Sequence, residues 1–171
     1  MKTLSFFAFL FLAAAVHAEG FFFRPSDWAL GTEFPAKPEQ SAERTARAGG
    51  DVVEMIASFV VSPDEALSLT RVLNPVAVSG PHLAAAYNNA KNGMLRASGA
   101  RLVSQETITI VGHESRRYVC EFNGGGLVSE QRMVIIGNEL FIFNYLHAKN
   151  SATSPEARAF FDKIAADRAG D

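Results

Sequence analysis

Cysteine is almost absent: Cys120 is the only one in 171 residues. No intrachain disulfide can form, so the chain must be held by an apolar core, and its length suffices for one. Clusters of one charge are also missing. Sixteen Lys and Arg stand against 18 Asp and Glu, a formal net charge of −2, and the charges are interspersed. That balance argues against nucleic acid or an anionic lipid surface as partner. No N-x-Ser/Thr sequon occurs, and no repeat or low-complexity linker divides the chain, which predicts one domain. After residue 16 no apolar run approaches the roughly 20 residues of a membrane span.

What is present begins with export. Lys2 precedes an almost unbroken apolar run over residues 4–16, and Val16-His17-Ala18 places small residues around a cleavage position. Residues 1–18 therefore read as a secretory signal peptide with cleavage near Ala18, and residues 19–171 as the single domain, periplasmic or secreted. Loss of Lys2 leaves that domain with a formal charge of −3. Phe21, Phe22 and Phe23 follow directly. They predict a first strand packed on the domain, with a partner or membrane-surface anchor as the alternative.

Along the domain, Pro25, Gly31, Pro35 and Pro38 break residues 21–40 into short strands and turns. Residues 39–47 are polar enough for an exposed edge strand, Gly49-Gly50 marks a turn, and the β-branched run 51–61 predicts a buried strand. Ser62-Pro63-Asp64-Glu65 has the composition of a helix start and predicts a short helix ending before Asn74-Pro75. A longer helix should run from near Pro81 to Ser98, with Leu83, Tyr87, Ala90 and Met94 as its apolar stripe and Gly99 as its stop. From residue 101 the period changes to two. Four strands joined by Gly/Asn turns predict an antiparallel meander up to His147. Ser154-Pro155-Glu156 then opens a closing helix over 155–167, with Ala157, Phe160, Phe161, Ile164 and Ala165 on one face. The expectation is an α+β fold: a twisted antiparallel sheet of about six strands flanked by the two longer helices. Phe141, Phe143 and Tyr145 alternate with Leu140, Ile142 and Leu146, so both faces of that strand should be covered.

The order of "EFPAKP", "GARLVSQETITIVGHESRRYVCEF", "RMVIIGNELFIFNYL" and "SPEARAFF" behind an export signal resembles small exported domains of the PsbP/Mog-type fold (the PsbP-like and DcrB-like family). The resemblance spans about residues 28–166. It implies a sheet flanked by helices and a role in binding other proteins. It brings no shared set of catalytic residues to carry over.

Only one stretch resembles metal chemistry. His113-Glu114 begins an H-E-x-x-H motif, but Arg117 stands where the second His belongs, and strands flank the site where a helix is required. It reads as a hairpin turn with exposed His113 and Glu114 and with Arg116 and Arg117 on its rim; no metal and no cofactor are expected. Tyr118, Cys120 and Phe122 share a strand face, which makes Cys120 a buried, inert small hydrophobe. Asn123-Gly124-Gly125-Gly126 joins strand to strand and lacks Lys, so it is a turn and not a phosphate loop. No catalytic residue is assigned. The functional expectation is a non-enzymatic binding or adaptor domain whose partner is another protein. Trp28, Arg116, Arg117 and His147, the last opening a 147–153 loop, are the candidate binding residues. The alternatives are a small hydrolase or metal-dependent enzyme using His82, His113 or His147, and a binder of a small apolar ligand.

Overall fold

A computed structural model describes residues 20–45, 52–122 and 124–166. The expected leader 1–18, the Gly49-Gly50 turn and Asn123 lie outside the described residues. Two three-residue strands, β1 (Phe21–Phe23) and β2 (Thr32–Phe34), pair as a small antiparallel ribbon. Three longer strands follow: β3 (Glu39–Thr45), β4 (Val52–Ser62) and β5 (Glu65–Leu73). A 3₁₀ turn leads into α1 (Leu83–Ser98), and then come β6 (Arg101–Ile110), β7 (His113–Glu121), β8 (Leu127–Ile136) and β9 (Glu139–Ala148). The chain ends its described course with α2 (Pro155–Asp162).

The fold is α+β. Its main sheet is antiparallel and has seven strands in the order β3-β4-β5-β9-β8-β7-β6. Two meanders make it: β3 to β5, and β6 to β9 beginning at the far edge. They close on each other where β5 pairs with β9, Leu69 opposite Phe143. The extra strand beyond the expected six is β5, where the sequence had predicted a helix after Ser62. Pro63-Asp64 is the tip of a β4–β5 hairpin. Leu67, Leu69 and Arg71 point inward and alternate with half-buried Ser68 and Thr70. That period of two suits a strand, and pairing on both sides outweighs a local capping signal.

The two faces of the sheet hold two separate cores. On one face the ribbon, residues 24–31 and α2 pack Phe23, Trp28, Leu30, Phe34, Phe160 and Phe161 over Leu67, Leu69, Val134, Phe141 and Phe143. Edge-on aromatic contacts link them, Phe34 to Phe160 at 5.1 Å and Phe143 to Phe160 at 6.1 Å. Each fully buried Phe of this kind contributes about 1.5–3 kcal/mol by burial. On the other face α1 lays Leu83, Tyr87, Ala90 and Met94, the predicted stripe, over Tyr118, Cys120, Met133 and Leu140. Gly99 stops α1 in the left-handed conformation, φ 65°. Beyond α1 this face turns polar: Ser129 Oγ donates to Asn144 Oδ1 (2.6 Å), and Asn144 Nδ2 to Ser68 Oγ (3.3 Å). Helical cover is therefore partial there.

α2 is shorter than the expected 155–167. Ser154 caps it, accepting from Ala157 N at 3.1 Å, but past Asp162 the chain leaves the helix and Ala165 bridges to Gly31. The two backbone bonds of that bridge are 2.9 and 3.1 Å. Gly31 is required at this point, because a Cβ there would meet Phe23 O at 2.4 Å and Arg24 Cβ at 2.5 Å. Thr32 Oγ1 also donates to Phe160 O, so ribbon and helix form one layer.

Candidate functional site

The core under that layer reaches Ile108 and Ile110 at the end of β6, and further along the strands the same sheet face is charged. Register places Glu106, Arg117, Arg132 and Phe143 side by side across β6, β7, β8 and β9. The row therefore runs from ions at the edge to an aromatic ring in the core. Arg117 reaches Glu106 Oε1 through Nη1 and Glu130 Oε2 through Nη2, both at 2.6 Å. Glu130 also holds Arg132, more loosely, at 3.4 Å through Nε and 3.3 Å through Nη2. The Arg132 guanidinium lies 4.0 Å from the centre of the Phe161 ring.

Opposite this row stands α2, and the space between is an open cleft of about 540 Å³. Arg117, Glu130 and Arg132 form one wall; Arg158, Phe161 and Asp162 form the other. Thr153 and Ala152 line it from the connecting loop. Arg158 and Asp162 are exposed and one helical turn apart, yet they make no ion pair. Burial pushes the Glu130 carboxyl up, but the Arg117 hydrogen bond and charge, joined by Arg132, outweigh it and hold Glu130 below the usual carboxylate range. Arg117 is raised in turn, chiefly by its hydrogen bond to Glu130. Glu130 and Arg117 are therefore held in their charged forms. The cleft's uncommitted guanidinium donors can bind an anionic group.

The expected binding residues fare differently. Trp28 is 2% exposed and belongs to the core, edge-on to Phe23 at 5.6 Å with the Arg71 guanidinium 5.7 Å from its ring. It is not a surface anchor: the Pro- and Gly-broken segment around it folds down over Phe141. Arg116 and Arg117 do not share a rim. The turn is only Val111-Gly112, β7 begins at His113, and strand alternation sends the two arginines to opposite faces. Arg116 lies 5.1 Å from the Tyr87 ring centre and pairs with Glu114 at 2.7 Å. Of that pair Arg117 alone reaches the cleft. His147 stacks on Tyr145 at 4.5 Å and sits 3.2 Å from Ser151 Oγ, before the loop that carries Thr153.

His113 and His147 do not converge. Ser115 lies beside Val134 and Phe141, and His147 is six residues further along β9, about 20 Å at 3.4 Å per residue. His113 is further off still at the start of β7. Among the described residues no group of three His, Cys, Asp or Glu is arranged to hold a metal ion. Cys120 is buried and free, its thiol pushed up by desolvation. No helix among the described residues is long and apolar enough to cross a membrane.

Sequence reasoning missed Glu130, Arg132, Arg158 and Phe161 as neighbours. A signal existed for two of them. Glu130 and Arg132 share the strand parity of Val134, a core position, and charges at inward parity mean an ion-pair network.

No protein family matches the chain, and no curated protein matches it. Among solved structures, a crystal structure from Bacteroides thetaiotaomicron VPI-5482 overlaps with a TM-score of 0.36 at 12% identity. The overlap covers 84% of this chain and 47% of that one, so the chain spans about half the length of the structure it matches.

Proposed function

We propose that this chain is an exported, non-enzymatic domain that binds another protein, of the PsbP/Mog type its sequence resembles, and that the cleft between β7–β8 and α2 is its recognition site. The observation that carries this reading is the lining. Arg117, Arg132 and Arg158 stand with the Phe161 ring in an open-sided groove. Arginine and aromatic residues are the types that anchor protein interfaces. Export rests on residues 1–18 as a signal peptide.

The test is a photo-crosslinking amino acid at Thr153 in the exporting cell. A discrete adduct with one protein, on a chain whose intact mass begins at Glu19, supports the reading. Purified protein that turns over an ester, phosphate or peptide, and stops doing so with one His→Ala substitution at His82, His113 or His147, would replace it with an enzyme.

A further inference from the structure

The donors in this cleft are unevenly committed. Arg117 spends Nη1 on Glu106 and Nη2 on Glu130, and its Nε is buried. Arg132 gives Nε and Nη2 to Glu130 in long bonds and keeps Nη1 unpaired. Arg158 is exposed and its guanidinium makes no hydrogen bond or ion pair among the described residues. Phe161 lies one turn from Arg158 and under Arg132, so it brings these two arginines to the same part of the cleft. A planar guanidinium with its full set of donors matches a carboxylate through two parallel N–H···O bonds.

We infer that the cleft takes an acidic segment of a protein, with one carboxylate seated on Arg158 and the Nη1 edge of Arg132. This rests on the reading of the cleft as a protein-binding site and names the chemistry of what fills it. Arg117 is already neutralised by Glu106 and Glu130, so the donors left for an anion are those of Arg158 and the Nη1 of Arg132. Glu130 already lies between two of them, so a singly charged carboxylate is accommodated with less repulsion than a phosphate dianion. A volume of about 540 Å³ falls within the range of small-ligand pockets. The cleft is open-sided, however, so a passing chain fits where a small molecule would not be enclosed.

The test is a titration of ¹⁵N-labelled mature protein with a blocked peptide of alternating Asp and Glu, with its Asn/Gln counterpart, and with inorganic phosphate. The expected result is shifts at residues 152–162 and at the Arg132 Nε signal with the acidic peptide only. Arg158→Glu should weaken that binding by about tenfold or more, as loss of an anchor does. Lys163→Glu makes the same charge change one residue past α2, outside the cleft, and should weaken it less than about twofold, as exposed pairs do. Equal losses from both substitutions, equal binding of the Asn/Gln peptide, or tighter binding of phosphate would overturn the inference. So would a Thr153 crosslink to a protein partner that Arg158→Glu leaves intact. That last result would leave the protein-binding reading standing, whereas enzymatic turnover would remove that reading itself.

Discussion

Arg71 of β5 and Glu139 of β9 form a buried ion pair, Nε to Oε1 at 2.6 Å, at the end of the sheet where the N-terminal segment crosses. Their side chains are only 8% and 12% exposed. The remaining donors of Arg71 reach Asp27 Oδ2 and Asp27 O, both at 3.0 Å, and Glu139 Oε2 accepts from Ala29 N at 3.3 Å. The guanidinium and its carboxylate partner together hold residues 27–29 on either side of Trp28. Asp27 is largely exposed and adds little as a charge partner. Replacing Arg71 with Met should cost about 3 kcal/mol, because Glu139 is left buried and unpaired. Urea denaturation checks this. A loss near zero would mean that Glu139 is hydrated, not held by Arg71.

Cys120 should be inert in the folded protein. It lies under α1 beside Tyr118 and Met133, fully buried, and desolvation raises its thiol. The thiolate is the reactive species, so both access and ionisation oppose labelling. A thiol reagent at pH 8 should react only as fast as the protein unfolds, and the rate should rise with urea. Fast labelling without denaturant would show that α1 does not cover this position.

Most of the fold was legible because its periodic elements are long. The strands from residue 101 onward, α1 with its Gly99 stop, the Ser154 cap and the alternation in β9 all follow from patterns within one element. The failures came where two elements compete. Ser62-Pro63-Asp64-Glu65 satisfies helix-capping chemistry, but the Leu67-Leu69-Arg71 alternation beside it is completed by β4 and β9. α2 ended early because Ala165 is bridged to Gly31, far away in sequence. The cleft was mostly illegible for the same reason. Arg158 and Arg132 become neighbours only after α2 has docked, and no local spacing encodes that. Trp28 was misjudged because its segment looks like loop, while the residues it packs on, Arg71 and Phe141, are distant in sequence.

The β6–β7 turn is backbone-strained. Val111 and Gly112 have φ of 46° and 79°, the left-handed values that a two-residue hairpin turn demands at both central positions. Glycine and asparagine take that conformation readily, whereas a β-branched residue does so at a cost of about 1–2 kcal/mol. Val111 is 45% exposed, so little burial offsets the strain. Val111→Asn should therefore stabilise the protein by about 1 kcal/mol, read as a higher urea midpoint with unchanged slope. A destabilised variant would show that Val111 makes an apolar contact worth more than its strain.

The cleft network should make part of the stability depend on acid. Glu130 is held below the ordinary carboxylate range by Arg117 and Arg132 against the opposing effect of burial. A carboxyl with a depressed folded pKa binds its proton more weakly folded than unfolded, so its stabilisation is present above the unfolded value of about 4.3 and fades as pH falls below it. Glu130→Gln cannot take part in that titration and leaves Arg117 with Glu106 alone. Wild type should accordingly be more stable than Glu130→Gln at pH 7, and the gap should narrow steadily between about pH 5 and pH 3 as the native carboxylate is protonated. The measurement is paired thermal unfolding across that range. A gap that stays constant with pH would mean that Glu130 contributes shape and hydrogen bonding, with no net attraction to the two arginines.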